Sequence, residues 1–225
     1  MLFRSAVQTR TAQSAKAHVE QWLGNLNNAL QRADKNAVAA LFAPDSHWRD
    51  LFGFTWYITP SEGPQAIAAL MIEKQSSIKA QGFALAPGRM APRYSQRAGV
   101  DVIEAIFQYE TAVARGFGAL RLLANEPGKA FQLMTNLHEL KGFEEKIGAR
   151  RPTGEAYSRN FGGTNWKDQR QAAEKYADRE PTALVVGGGH AGLSIAARLG
   201  QLRIDTLIVD RMERIGDNWR KRYHA

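Results

Sequence analysis

A short glycine-rich segment near the end of the chain constrains the fold more than any other feature. Residues 187–192 read GGGHAG, a G-x-G-x-x-G pattern. The pattern follows an apolar run at 181–186 (PTALVV), which lacks the alternation of a half-exposed strand. A helical stretch at 191–199 and a second apolar run at 205–209 come after it. This order predicts a parallel β-α-β unit whose first strand is buried on both faces.

Each position of the pattern has a physical role at a dinucleotide site. Gly187 permits the tight turn that leaves the strand, and Gly189 has no Cβ, so a pyrophosphate can approach the backbone. Gly192 allows the helix to lie close to the strand. The helix start, with His190 and Ala191, offers free N–H groups and the positive end of the helix dipole to a diphosphate.

A carboxylate at the end of the second strand completes the pattern. Asp210 follows the glycines by about 20 residues, where an acid accepts hydrogen bonds from ribose hydroxyls. The same charge repels the 2′-phosphate of NADP. We therefore predict a dinucleotide site that does not take NADP, and the pattern alone does not separate FAD from NAD. The alternative is a glycine-rich strand–helix turn in an unrelated α/β domain.

The segment after the second strand favours FAD. It reads RIGDNWR at 214–220 and resembles the G-G-x-W-type segment that lies beside FAD in flavin-containing and Baeyer–Villiger-like monooxygenases. Gly216 and Trp219 are its candidate cofactor contacts. Together with 187–199, this segment makes the chain resemble the N-terminal FAD-binding portion of those flavoproteins, most specifically over 182–224.

The resemblance implies an FAD that NADPH reduces and that reacts with O₂ through a C4a-peroxyflavin. Such proteins oxygenate nitrogen, sulfur or a carbonyl carbon of a small-molecule substrate. Their second glycine fingerprint, for NADPH, and their F-x-G-x-x-x-H-type motif do not occur in this chain. We therefore expect 181–225 to be the incomplete start of a Rossmann-type FAD-binding domain. The 225-residue chain is then expected to be an inactive N-terminal piece of a longer monooxygenase.

Residues 18–143 show a different pattern, in which helices come before strands. Apolar residues from 19 to 30 recur at helical spacing, and shorter helices are expected at 36–42 and after Gly63-Pro64. Runs of β-branched and aromatic residues then predict strands separated by glycine-rich turns. The expected strands are 47–58, 103–111, 119–124 and 131–138, with a turn or bulge at 116–118 and a turn at 125–128.

This order of elements resembles the SnoaL-like cone fold related to nuclear transport factor two. The segment Asp34–Trp48 (DKNAVAALFAPDSHW) carries the resemblance between the helices and the first strand. The expected fold class is an α+β cone, three helices on a curved antiparallel sheet, followed by the truncated β-α-β unit. Members of this fold use their pocket for catalysis, ligand binding or dimerisation. The alternative function is therefore a small-ligand-binding or dimerising module without oxidoreductase activity, and a homodimer through this domain is expected.

The acid–base side chains of this domain do not form an obvious catalytic pair. His138 and Glu139 are neighbours on an expected strand, and His47 and Asp50 lie three residues apart. Both spacings place the two side chains on opposite faces of a sheet. The sequence therefore leaves the catalytic residues unidentified.

Composition excludes several other classes. The net charge of +8 is spread along the chain, which favours a basic surface over nucleic-acid binding. The absence of cysteine excludes a disulfide framework and a thiolate metal site, argues against a disulfide reductase, and no metal is expected. No apolar run is long enough to span a bilayer, so a cytoplasmic protein is expected. Residues 1–17 are expected to be disordered, or alternatively to be a mitochondrial targeting segment, and 144–180 to be a linker with a helix at 165–176.

Overall fold

The computed structural model describes residues 11–150 and 162–223, which belong to two compact units. The first unit comprises residues 1–142 and the second comprises residues 143–225. Most of the segment that was expected to be disordered, and the middle of the expected linker, lie outside the described residues. Among the described residues, no helix combines the length and the apolarity that crossing a membrane requires.

The first unit begins with a long amphipathic helix. Thr11 caps it, because its hydroxyl accepts from the Ser14 N–H while the Ser14 hydroxyl accepts from the Thr11 N–H. The helix therefore starts before residue 19, within the segment that was expected to be disordered. Pro64 occupies the first turn of a later helix, as expected. The helices are α1 (Ala12–Gln31), α2 (Lys35–Ala39) and α3 (Pro64–Ile78).

A seven-stranded sheet packs against these helices. Its order is β2-β1-β7-β6-β5-β3, and β4 pairs with β5. The expectation of an antiparallel sheet is wrong in one place, because β1 runs parallel to β7. The strands are β1 (Phe42–Leu51), β2 (Ile58–Glu62), β3 (Gln81–Leu85), β4 (Arg93–Arg97), β5 (Val100–Glu110), β6 (Ala114–Leu123) and β7 (Glu126–Leu140).

The strand expected at 47–58 is a hairpin. Its two strands, β1 and β2, pair from His47 with Glu62 to Leu51 with Ile58, and a turn at 52–57 joins them. β1 also begins earlier than expected. Pro44 lies inside this strand.

The glycines at 116–118, expected to form a turn or a bulge, lie inside β6, and the register shift between Arg115 and Gly116 agrees with the bulge. An added Cβ on Gly116 would lie 2.3 Å from the ring of Tyr109, and one on Gly118 would lie 2.1 Å from the ring of Phe107. Both rings come from the neighbouring strand β5. The glycines therefore make room for aromatic rings and do not reverse the chain.

The turn between β6 and β7 is shorter than expected. β6 ends at Leu123 and β7 begins at Glu126, so Pro127 and Gly128 are strand residues. Register shifts on either side of Leu122 accompany this tight connection.

The core of the first unit lies between the helices and one sheet face, and aromatic rings fill much of it. Trp48 and Phe54 meet edge to face at 5.2 Å, and Phe83 stacks on Tyr109 at 5.1 Å. Trp22 of α1 is also buried, and its Nε1 donates to the Leu41 carbonyl. The interior of the expected cone is thus occupied by side chains of the protein itself.

The second unit contains the expected β-α-β order. Two strands pair in parallel, from Ala183 with Thr206 to Val186 with Val209. A helix preceding them covers most of the expected segment 165–176. The elements are α4 (Trp166–Glu174), β8 (Ala183–Val186), α5 (His190–Gln201), β9 (Thr206–Val209) and α6 (Asp217–Arg220), with a 3₁₀ turn at Gly148–Arg150.

Candidate dinucleotide site

The loop between β8 and α5 begins with a conformation that favours glycine. Gly187 has a φ of +107°, and its N–H donates to the carbonyl of Val209 on the partner strand at 2.7 Å. Gly189 is the N-cap of α5 and has no side chain with which to satisfy the first N–H groups of the helix. His190 and Ala191 form the exposed first turn. The helix start therefore presents free donors beside the loop.

Helix α5 approaches the strand too closely for any side chain at Gly192. An added Cβ there would lie 1.8 Å from the carbonyl oxygen of Gly187 and 3.3 Å from Cγ1 of Val185. At Gly189 the surroundings are open by comparison. The nearest atom to an added Cβ is Nδ2 of Asn218, at 3.5 Å. The third glycine thus serves packing, whereas the second leaves room for a ligand.

Asp210 lies directly against the glycine loop. Its Oδ2 accepts from the Gly188 N–H at 2.5 Å, and its Oδ1 accepts from the Met212 N–H at 2.7 Å. These two bonds, the one from Met212 being the stronger influence, lower the pKa of Asp210 below its usual value. The carboxylate is therefore charged at neutral pH and placed beside the loop.

A second carboxylate, which the sequence reasoning missed, shapes the segment 214–220. Asp217 is buried, and its Oδ1 lies 2.8 Å from Nη1 of Arg220 and 3.4 Å from Nη2 of Arg214. The hydrogen bond from Arg220 is the main cause of its lowered pKa. The spacing of an acid three residues from an arginine on either side is the signal that could have found it.

This anchor sets the positions of the two predicted residues of the segment. Gly216 adopts a φ of +87° as the N-cap of α6, and Trp219 is 38% exposed. Asn218, between them in the chain, is the residue that reaches Gly189. The structure therefore brings Asn218 to the loop, a contact that the sequence did not indicate.

Asp50, in the first unit, has a structural role. It is fully buried, and its carboxylate accepts from the backbone N–H groups of Gly53, Phe54 and Thr55 and from the hydroxyls of Thr55 and Thr135. These bonds hold the turn at 52–57.

The other acid–base candidates are dispersed. His47 is exposed on the opposite sheet face from Asp50, with Nδ1 3.7 Å from Oε1 of Glu62. His138 packs on the ring of Phe117, while the neighbouring Glu139 pairs with Arg115 at 3.0 Å. Within 11–150 and 162–223, no group of three His, Asp or Glu side chains is placed to hold a metal ion.

Comparison with solved structures found proteins of low sequence identity. Structures similar to the chain include an NTF2-like protein of unknown function from Mesorhizobium loti, with 15% identity over 55% of this chain and 93% of that one, and a TM-score of 0.37. They also include a protein of the SnoaL-like family from Agrobacterium tumefaciens, with 14% identity over 55% and 99% and a TM-score of 0.37. A domain of unknown function with a cystatin-like fold from Nostoc punctiforme has 12% identity over 74% and 97%, with a TM-score of 0.42.

The family comparison concerns the glycine loop. No curated protein matches the sequence. Residues 185–224 match the family of NAD(P)-binding Rossmann-like domains, and this span includes the loop, Asp210 and the segment 214–220.

Proposed function

We propose that the second unit binds the ADP half of FAD and that the chain is the N-terminal part of an FAD- and NADPH-dependent monooxygenase. The main evidence for a dinucleotide site is how closely α5 packs at Gly192, where an added Cβ would lie 1.8 Å from the carbonyl oxygen of Gly187. Such close packing of the helix on the strand is the geometry in which a helix N-terminus receives a diphosphate. When bound, FAD supplies the redox chemistry, which the side chains described here do not provide.

The residues around the loop fit the polar parts of an adenosine diphosphate. The N–H groups at the start of α5 would donate to the diphosphate, and the open side of Gly189 would admit it. The carboxylate of Asp210 is placed to accept from ribose hydroxyls. Because the same carboxylate is charged, a 2′-phosphate on the ribose would be repelled. The site therefore favours FAD or NAD over NADP.

The segment 214–220 supports FAD within that choice. Asp217 anchors it and directs Asn218 to the open side of Gly189. Gly216 and Trp219 are the residues that correspond to the flavoprotein segment. A nicotinamide dinucleotide at the same loop is the second candidate, which the family description of residues 185–224 favours.

The test is a calorimetric titration of the full chain with ADP, FAD, NAD⁺ and NADP⁺. We expect ADP, FAD and NAD⁺ to bind, and NADP⁺ to bind at least about tenfold more weakly, which corresponds to about 1.4 kcal/mol. The variant Asp210→Ala should lose this discrimination. Glu213→Ala, which removes an exposed carboxylate three residues further along, is the matched control and should retain it.

The outcomes separate the candidates. Binding of NAD⁺ at least tenfold tighter than FAD would assign the site to a nicotinamide cofactor, and no binding of ADP would overturn the site itself. We expect weak FAD binding and no oxidation of NADPH by this chain, because the two-stranded unit offers contacts for the ADP half alone. Retention of stoichiometric flavin with NADPH oxidation would contradict that expectation.

A further inference from the structure

The sheet face of the first unit that lies opposite the core carries a groove of about 530 Å³. Four strands contribute to it: β1, β2, β6 and β7. Its ionisable lining residues are His47, Arg49, Glu62 and Arg121. The groove has the size of a small-molecule site, for which about 300–1,000 Å³ is usual.

The strand pairing places four polar side chains in one row across the floor of this groove. His47 is opposite Glu62 on one side and Gln132 on the other, and Gln132 is in turn opposite Arg121. At the acidic end of the row, the Glu62 carboxylate lies 3.7 Å from His47 and has this side chain as its neighbour. The other end of the row is cationic.

Arg121 is available to the groove because the carboxylate next to it in strand register already forms ion pairs with other arginines. The next residue along the row is Glu104 on β5. Its carboxylate instead accepts from Arg93 at 2.7 Å and from Arg97 at 2.9 Å. Arg121 donates to Oε1 of Gln132, which fixes its guanidinium and leaves other N–H donors unused.

A second guanidinium lines the same groove one row further along. Arg49 pairs in register with Pro60 and Met134 and is exposed. Within the described part of the chain, no carboxylate lies within 4.0 Å of the guanidinium of Arg49 or Arg121. Pro60, Met134 and Ala119 belong to the same row as Arg49 and add apolar side chains to the groove lining.

From these contacts we infer that the groove binds a small carboxylate with an apolar body. Guanidinium groups recognise carboxylates through paired hydrogen bonds, and Gln132 orients one of the two in advance. The apolar residues provide a surface for the remainder of the ligand. This site lies on the opposite sheet face from the aromatic core, and the inference is independent of the dinucleotide proposal.

The experiment is an NMR titration of the full chain with benzoate and with its neutral analogue benzamide. We expect benzoate to cause saturable amide shifts at residues of β1, β2, β6 and β7. Benzamide should bind at least about tenfold more weakly, since it has no negative charge to pair with the guanidinium groups. Arg121→Gln and Arg49→Gln should each weaken benzoate binding by about tenfold.

The matched control is Arg32→Gln, which removes an exposed arginine of the same unit that does not line the groove. It should leave benzoate affinity unchanged. The inference is overturned if benzamide binds as well as benzoate, if Arg32→Gln weakens binding as much as the groove variants, or if benzoate does not bind. Analytical sedimentation of the same samples tests whether a dimer prevents benzoate from binding. A dimer that dissociates in Arg121→Gln and does not bind benzoate would mean that a second copy fills the groove.

Discussion

The two units differ in how much of their apolar surface the described residues cover. In the first unit, the alternate side chains of β5 and β6 that face the helices are buried, as are the rings of Trp48 and Phe107. In the second unit, Val186 is 81% exposed and Leu184 is 58% exposed, and no residue of α5 is buried. An apolar sequence therefore does not by itself establish that a strand is buried. The first unit should supply most of the measurable stability, because the described part of the second unit buries few apolar side chains.

The largest expected effect tests this difference directly. Trp48→Ala should destabilise the first unit by about 3–5 kcal/mol, because the ring is buried, meets Phe54 and donates to Thr135 at 2.9 Å. Val186→Ala should change the free energy of unfolding by no more than about 0.5 kcal/mol. Urea denaturation followed by far-UV circular dichroism measures both. Equal losses in the two variants would remove the distinction between the units.

The second-largest loss of stability is expected when Asp50, whose carboxylate binds the turn at 52–57, is replaced. Asp50→Ala should cost about 3 kcal/mol, because it leaves several buried donors, among them the N–H groups of Gly53 and Phe54, without an acceptor. His47→Ala, on the exposed face of the same strand, is the control and should be near neutral. The same denaturation measurement applies. A cost for Asp50→Ala no larger than the control would mean that water replaces the carboxylate in the turn.

A smaller effect is expected in the second unit, where helix and strand touch. Gly192→Ala should cost about 1–3 kcal/mol, since the new Cβ would overlap the Gly187 carbonyl. Gly200→Ala in the same helix has nothing within 4 Å and should instead stabilise by about 0.5 kcal/mol. Hydrogen exchange at the amides of β8 and β9 reports on both variants. If protection fell equally in the two, the close contact would not be what holds this unit together.

The smallest effect concerns acid stability of the first unit. The pKa of Glu104 is lowered from its usual value of 4.5, chiefly by the hydrogen bond from Arg97 and also by Arg93. A lowered pKa in the folded state contributes stability above pH 4.5, and that stability is lost as the pH falls through the folded-state pKa. Glu104→Gln should therefore flatten the decline in stability below that pH by about 1 kcal/mol or less, because both arginines are partly exposed. An unchanged slope in acid denaturation curves would show that the ion pairs of Glu104 with the two arginines contribute nothing to stability.

The sequence predicted elements best where burial leaves a local pattern. The helical stripe of α1 and the alternation along β5 and β7 are visible because one face of each is buried. β4 (RYSQR) has no such pattern, and its pairing with β5 determines its conformation. The parallel pairing of β1 with β7 was also missed, since periodicity does not encode which strands become neighbours.

The candidate site was predictable to the extent that its chemistry is local. Backbone conformation requires glycine at 187, and close packing requires it at 192. Asp210 was predictable because it directly follows the second strand of the unit. Asp217 and Asn218 act through contacts made across a loop, and residue type alone did not indicate them. The groove on the exposed sheet face was invisible for the same reason, because strand register brings its lining residues together.

The aromatic interior of the first unit has a consequence for how this sequence can change by mutation. An added Cβ at Gly53 would lie 2.0 Å from the Tyr109 hydroxyl, and one at Gly116 would lie 2.3 Å from the same ring. Positions 53, 109 and 116 are therefore epistatic: side chains become tolerable at 53 and 116 only on a background in which residue 109 has already become smaller. Gly118 has no such escape, because the backbone oxygen of Met134, at 2.3 Å, blocks it whatever residue occupies position 107.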